Sequence, residues 1–280
     1  MLSLVDCHLT GQLPVWLSKL KNLQVLYLNL NRITGSIPGW LSTLPRLFYL
    51  ELDDNLLSGE FPRKLCSLPA LVSPQPLDNA SFDLPIYDNI ESVSEYNFLF
   101  KLRRGISLVN NSLSGNIPIE IGHLKQLQEL VLSYNNILGK IPDQISELTN
   151  LEILDLSTNQ LTGEIPASLA NLHFLNTFSI ASNKLHGTIP SGTQLQSFDG
   201  FDYEGNMGLC GPPLPNQCPH ITGNKGDEDI HDDENGLAVP WLHISVVLGF
   251  ITGFWGVCDC IEDLEIHDLF VSLGMEVHLS

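Results

Sequence analysis

Leucine and polar residues alternate from Leu2 to Pro190 in a pattern that predicts short strands. In the clearest segment Leu154 and Leu156 flank Asp155, and Asn159 follows three positions after Leu156. Because successive side chains of a strand point to opposite faces, the two leucines would be buried and Asp155 would lie outward. The segment therefore predicts a strand with one apolar face, followed by a turn.

The same pattern returns at a fixed interval, and each copy ends in a Gly-x-x-Pro motif. The motif glycines are Gly11, Gly35, Gly59, Gly115, Gly139, Gly163 and Gly187. Their numbers rise by 24 at every step except from Gly59 to Gly115, where the rise is 56, or 24 plus 32. A fixed period in the twenties with internal leucines is the signature of a leucine-rich repeat solenoid, in which neighbouring repeats bury one continuous core. We therefore predict seven repeats over residues 1–198, the first of them truncated.

Asparagines occupy one equivalent position in the repeats, where a buried amide can bond the backbone of adjacent coils. They are Asn31, Asn55, Asn111, Asn135, Asn159 and Asn183. The proline of each motif would break a helix or a central strand, so we place it at the bend onto the convex side. Cys7 takes the asparagine position of its repeat, where we expect a small buried side chain.

The Gly-x-Ile-Pro form of the motif resembles the plant-type leucine-rich repeats of cell-surface receptors, over residues 1 to about 220. This resemblance implies an α/β solenoid that coils into a superhelix with a concave parallel sheet, which binds peptides or partner receptors. The outward strand positions are then candidate ligand contacts, because tyrosines and mixed polar groups suit a recognition surface. They are Tyr27, Asn29, Tyr49, Glu51, Asp53, Ser107, Val131, Ser133 and Asp155.

An insertion interrupts the period roughly at 71–102, and it lacks the leucine spacing. Insertions into repeats map to loops, often on the binding face. A disordered excursion is the alternative, although Phe82, Tyr87 and Phe98 make the segment apolar for a solvated linker.

The insertion, called the island in that family, resembles the one in plant receptors for tyrosine-sulfated peptides, the phytosulfokine receptor family. The flanks Glu60-Phe-Pro-Arg-Lys-Leu and Val109-Asn-Asn-Ser-Leu-Ser-Gly resemble its sulfated-glycopeptide branch. The resemblance implies that the island and the adjacent concave surface bind the peptide and that a co-receptor docks nearby. Lys101, Arg103 and Arg104 would then bind sulfate by charge-assisted hydrogen bonds, or else remain solvated surface charges.

Charge and cysteine usage narrow the setting. The net charge is −19, and residues 221–280 carry 12 acidic residues and one lysine, so nucleic acid is not an expected partner. Cys210 and Cys218 close a short loop after the last repeat, where an exposed solenoid end needs a cap. We predict a disulfide-closed cap over residues 199–220 and an oxidising compartment, with two free thiols as the alternative.

A membrane span is predicted near the C-terminus. Residues 221–236 form an acidic linker, and residues 237–258 carry no formal charge over a length that matches a bilayer core. Gly249 and Gly253 provide a small-residue face for helix pairing. A buried or disordered apolar tail is the alternative. The acidic tail at 259–280 gives no support for orientation from the positive-inside rule.

The linker and the segment Gly249-Phe-Ile-Thr-Gly-Phe-Trp-Gly-Val-Cys resemble the C-terminus of plant receptor-like proteins, which lack a kinase. The resemblance implies a single-pass plasma-membrane protein with an extracellular solenoid that signals through partner receptor kinases. Met1 falls inside a repeat, with Leu2 aligned to Leu26, so we expect a truncated chain that lacks its signal peptide.

Asn79 and Asn110 begin glycosylation motifs, which matter only on the secretory route. No kinase loop, zinc motif or nucleophile elbow appears, so we expect no enzyme, no metal site and no cofactor. The first hypothesis is a receptor for an extracellular peptide or immune elicitor. The alternatives are a secreted inhibitor of microbial wall-degrading enzymes and a nonfunctional receptor fragment.

Overall fold

The computed structural model describes residues 1–74, 102–191 and 194–218, together with the backbone of two strands at Leu84–Asn89 and Ser92–Tyr96. The chain divides into two units, Met1–Ile221 and Thr222–Ser280, and the second lies outside the described residues. Some of the sequence-based predictions also fall outside the described residues. They concern Asn79, Lys101, the linker at 221–236, the membrane span at 237–258 with Gly249 and Gly253, and the tail at 259–280.

Seven parallel strands form the main sheet, one from each repeat. Their register follows the sequence period, since Leu2 pairs with Leu26 and Leu26 pairs with Leu50. In sheet order the strands are β1 (Leu2–Ser3), β3 (Val25–Tyr27), β5 (Tyr49–Glu51), β9 (Gly105–Ser107), β11 (Glu129–Val131), β12 (Ile153–Asp155) and β14 (Thr177–Ser179). The predicted solenoid with one parallel sheet is confirmed.

Short strands on a second side of most coils pair with one another in parallel, and the coil with Gly139 contributes a single bridge from Leu138 to Asn116. One group is β2 (Thr10–Gly11), β4 (Arg32–Gly35), β6 (Leu56–Glu60) and β10 (Ser112–Ser114), and the other is β13 (Thr162–Gly163), β15 (Lys184–Thr188) and β16 (Gly208–Cys210). The motif glycines in or beside these strands have positive φ, for example 85° at Gly59, which glycine adopts without steric cost.

The convex elements differ from an α/β expectation, because they are 3₁₀ turns. Each turn starts directly after the motif proline and is too short for a stable α-helix. The turns are Val15–Lys19, Gly39–Thr43, Arg63–Ser67, Ile119–His123, Asp143–Glu147 and Ala167–Asn171. In the described residues the α-helix is α1 (Pro69–Val72), and further 3₁₀ turns lie at Leu195–Ser197 and Gly200–Asp202. The predicted bend is confirmed at six of the seven motif prolines, and residues 192–193, which follow Pro190 closely, lie outside the described residues.

The asparagine ladder is also confirmed. Asn55 accepts a hydrogen bond from the Ile33 amide of the preceding coil at 2.9 Å, and its Nδ2 donates to the carbonyls of Leu28 and Leu52. The other ladder asparagines bond in the same way, and Asn206 continues the series into the cap. Each amide thus ties one coil to its predecessor.

The expectation for Cys7 is wrong, because its side chain is exposed. A thiol carries no amide to bond a neighbouring coil, and Cys7 Sγ donates to the carbonyl of Val5 within its own coil. The ladder amide at this place belongs to Asn31, whose Oδ1 accepts from the backbone of Cys7 and Leu9.

The inserted residues leave the stacking of the coils unbroken. Strand β5 pairs directly with β9, with Tyr49 opposite Gly105 and Glu51 opposite Ser107. In the sequence between β5 and β9, β7 (Leu84–Asn89) and β8 (Ser92–Tyr96) pair as an antiparallel hairpin. The insertion therefore joins two coils that are neighbours in the sheet.

The C-terminal end of the repeats is closed by a short loop. Cys210 and Cys218 form the predicted disulfide, with Cα atoms 4.9 Å apart. Strand β16 adds to β15, and Tyr203 is fully buried against Phe178.

Candidate functional site

The candidate ligand contacts lie on the main sheet, but their burial differs. Five of the predicted outward residues are half-buried, namely Asn29, Glu51, Asp53, Val131 and Asp155. The others are buried, namely Tyr27, Tyr49, Ser107 and Ser133. Alternation along a strand predicts the face of a residue but not how much of it neighbouring side chains cover.

An aromatic pair lies over strands β3, β5 and β9. The rings of Tyr27 and Tyr49 are 5.4 Å apart, and each residue is 8% exposed. A Cβ on Gly105 would lie 2.8 Å from Cε2 of Tyr49, closer than van der Waals contact allows. The missing side chain at position 105 therefore lets the Tyr49 ring lie across strand β9.

This orientation brings the Tyr49 hydroxyl to two carboxylates. It lies 3.2 Å from Glu51 Oε2 and 3.5 Å from Glu129 Oε1, on the second strand along the sheet. Burial, reinforced by the negative charges of Glu129 and Glu51, raises the pKa of Tyr49. The phenol therefore stays neutral and acts as a hydrogen-bond donor. Glu129 is not among the contacts predicted from the sequence. The register could have indicated it, because Tyr49 pairs with Gly105 and Gly105 pairs with Glu129.

Asp53 connects the two coils that flank the insertion. Its Oδ2 accepts from Ser107 Oγ and its Oδ1 accepts from the Val109 amide, both at 2.8 Å. Burial raises the pKa of Asp53 to about 6, and the negative charges of Asp54 and Glu129 act in the same direction against the two hydrogen bonds. This carboxyl is therefore poised to titrate in mildly acidic solution.

The same junction carries a second side-chain bridge at the rim of the sheet. Asn110 Nδ2 donates to Asp54 Oδ1 at 2.7 Å. Asn110 is exposed and has a φ of 49°. Its glycosylation stays a prediction.

The two described arginines of the predicted sulfate cluster contact different partners. Arg103 Nε lies 3.0 Å from Glu152 Oε2. Arg104 Nη1 donates to the carbonyl of Ala70 at 2.7 Å, and its guanidinium lies 5.8 Å from the centre of the Phe48 ring. Burial lowers the pKa of Arg104. Sulfate binding by this cluster, which includes Lys101 outside the described residues, stays a prediction.

Further along the sheet the outward residues follow a simple alternation. In β11 and β12, Val131 and Asp155 are half-buried while Leu130 and Leu154 are fully buried. Asp155 Oδ1 accepts from the amide of Ser157 at 2.9 Å, within its own strand segment. This part of the sheet presents a row of partly accessible side chains.

Among residues 1–74, 102–191 and 194–218, no group of three or more His, Cys, Asp or Glu side chains is placed to hold a metal ion. In the same part of the chain, no helix is both long and apolar enough to cross a bilayer.

The family model described as leucine rich repeat matches residues 1–57 and 125–185. Receptor-like protein 3 of Arabidopsis thaliana is 56% identical over 259 residues, which cover 88% of this chain and 33% of that protein. The chain thus spans a third of that relative's length.

Solved structures show the same architecture. The ectodomain of the Arabidopsis receptor kinase HAESA, in complex with an extended IDA peptide hormone, matches with a TM-score of 0.57 and 32% identity, over 75% of this chain and 29% of that one. A second HAESA structure, with IDA and the co-receptor SERK1, matches with a TM-score of 0.54 and 32% identity, over 76% of this chain and 30% of that one.

Proposed function

Because the chain is a leucine-rich repeat protein whose homologues are plant receptor-like proteins, we propose that it is the ligand-binding part of a kinase-less cell-surface receptor. Its ligand is a secreted peptide, with a tyrosine-sulfated peptide as the first candidate. The peptide contacts the outer face of the main sheet and the insertion. Growth and defence signalling are both open to such a receptor.

The observation that carries this proposal is the row of side chains on the outer face of the main sheet. Glu51, Asp53, Val131 and Asp155 are half-buried there, on a rigid scaffold of paired strands. Partly accessible polar and apolar groups on a fixed surface are what peptide recognition requires. The HAESA complexes support the choice of a peptide, because that ectodomain has the same architecture and binds a peptide hormone.

We further propose that signalling requires a membrane partner. The HAESA complex with SERK1 supports a co-receptor. The uncharged residues 237–258 would anchor the chain in the plasma membrane, and Gly249 and Gly253 would pair with the helix of an adaptor receptor kinase. In this proposal the signal comes from the partner kinase, as in the kinase-less receptor-like proteins that the segment at 249–258 resembles.

Binding is tested with the full chain, expressed at the plant cell surface behind an added secretion signal. Labelled secreted peptides, in sulfated and unsulfated forms, are applied to these cells. We expect saturable binding of at least one peptide. The double substitution Val131→Lys and Asp155→Lys should reduce that binding at least tenfold, because it places two new charges in the row.

A matched control carries Ser146→Lys and Ser168→Lys, two half-buried positions on the convex turns. It should bind like the wild type. Equal loss in both variants, or no specific binding of any secreted peptide, would contradict the proposal. A peptide that binds equally with and without sulfate would retain the receptor and reject sulfate recognition.

A further inference from the structure

Asn29 and Asp53 each follow one of two adjacent strands, two positions after the paired residues Tyr27 and Glu51. The register of β3 and β5 pairs Tyr27 with Glu51, and the Leu30 amide donates to the Asp53 carbonyl at 3.0 Å. The same register, carried two positions further, places Asn29 beside Asp53. Parallel strands lie about 4.8 Å apart, which is within the reach of two such side chains.

Asn29 has an unsatisfied acceptor at this place. Its Oδ1 is buried and meets no hydrogen-bond donor in the described part of the chain. An unmet buried acceptor is costly, so a donor that becomes available beside it is bound favourably. The carboxylate of Asp53 offers no proton when it is ionised, but its neutral acid form is a donor.

The surroundings of Asp53 favour that neutral form. The charged groups that act on Asp53 are Asp54, next to it in the chain, and Glu129 across the sheet, and both are acidic. Glu51, two residues before Asp53, is acidic as well. From strand β9 and its continuation the facing groups are the Ser107 hydroxyl and the Val109 amide, whose hydrogen bonds favour the ionised form. Burial has the largest effect on the pKa of Asp53 and favours the neutral form.

We propose that Asp53 is a proton-dependent latch. In mildly acidic solution its Oδ2 takes a proton and donates it in a hydrogen bond to Asn29 Oδ1. Both oxygens of Asp53 keep lone pairs that accept from Ser107 and Val109. A continuous series of hydrogen bonds then links Asn29, Asp53 and Val109 on three neighbouring coils. This latch ties the coils on both sides of the insertion to the preceding coil, and it does not depend on the proposed receptor function.

The direction of the pH effect follows from linkage. The folded protein holds the Asp53 proton to a higher pH than the unfolded chain, where an aspartate titrates near 3.9. The stability that Asp53 contributes is therefore fully present below its pKa in the unfolded chain, and it is lost as the pH rises through its folded pKa of about 6. The junction should be tighter at pH 5 than at pH 7.5.

Hydrogen exchange of the full chain measures this tightening. Relative to Asp53→Asn, the wild-type amides of residues 28–31 and 107–110 should gain about tenfold in protection between pH 7.5 and pH 5. The control Asp155→Asn alters a carboxylate of the same sheet that bonds its own strand segment, and it should keep the whole gain. Equal behaviour of wild type and Asp53→Asn at both pH values would overturn the latch.

Asn29→Leu tests the acceptor. Without Asn29 Oδ1 the neutral acid loses its partner, so the protection gain should shift to lower pH, although the added apolar burial alone would shift it upward. An unchanged or upward shift would show that Asn29 does not receive the proton. If either variant fails to fold, a carboxyl-carbon NMR titration of the wild type replaces it. An aspartate midpoint near 6 would support the latch, and no aspartate midpoint above 5 would overturn it.

Discussion

Two stretches of the main sheet have the same strand register and differ in the burial of their outer face. In β11, β12 and β14 the outward residues are half-buried or exposed and alternate with buried leucine, phenylalanine or isoleucine. In β3, β5 and β9 the outward residues Tyr27, Tyr49 and Ser107 are buried, and Glu51 alone among the candidate contacts of these strands is half-buried. We call these the open stretch and the closed stretch.

The repeat determines some features of the two stretches and leaves others to single residues. Strand register and the asparagine ladder continue through both stretches, because each depends on positions that recur in the repeats. Burial of the outer face depends on single residues. Tyr49 covers β9 only because position 105 is glycine, and Asp53 binds Ser107 and Val109 only because it is an acid at that place.

The largest expected effect tests the shared backbone. Asn55→Ala in the closed stretch and Asn159→Ala in the open stretch each leave several buried backbone groups without partners, at about 3 kcal/mol of unfolding free energy. Urea unfolding of the full chain should give the same loss for both within about 0.5 kcal/mol. A much smaller loss at Asn55 would break the claim that the two stretches share one ladder.

The next effect tests the closing residue. Gly105→Val places a Cβ 2.8 Å from the Tyr49 ring and should cost about 1–3 kcal/mol through overpacking. Thr177→Val, at the same register column of the open stretch, changes an exposed residue and should stay within about 0.5 kcal/mol. Equal costs in urea unfolding would mean that Tyr49 does not depend on the glycine.

A smaller effect sharpens the role of the phenol. Tyr49→Phe keeps the ring and removes the hydroxyl that lies against Glu51 and Glu129. We expect a loss of about 1 kcal/mol, typical of one buried hydrogen bond. The control Phe48→Tyr adds a hydroxyl one residue away, on the buried side of the strand. It should lower the unfolding free energy more than Tyr49→Phe does, because the new hydroxyl enters the core. A stabilised Tyr49→Phe would show that the two carboxylates do not need the donor.

The smallest effect concerns an ion pair that joins the two stretches. Arg103 begins the approach to β9 and Glu152 precedes β12, and both side chains are partly exposed. Arg103→Gln should cost less than about 1 kcal/mol, and high salt should shrink the difference further. A loss above about 2 kcal/mol, well beyond the usual range for an exposed pair, would identify Arg103 as part of the core rather than of the surface.

Sequence reasoning reached the fold because the fold is periodic. Leu2 aligned to Leu26, the ladder at Asn159 and the disulfide of Cys210 could all be placed from spacing or position along the repeats. It did not reach the closed stretch. The contact of Tyr49 with Glu129 joins residues 80 positions apart across a glycine, and no repeat position encodes it.

The convex turns show the same limit at smaller scale. The proline of each motif predicts where the chain bends, but the five residues that follow decide between α and 3₁₀ geometry. The exposure of Cys7 depended on its neighbours rather than on its place in the repeat.

Because β5 pairs directly with β9, the insertion begins and ends at two neighbouring coils of the solenoid. A loop attached in this way can be swapped, shortened or lost without moving any coil relative to the next. Selection can therefore change the inserted residues while the stack of leucines beneath stays constant.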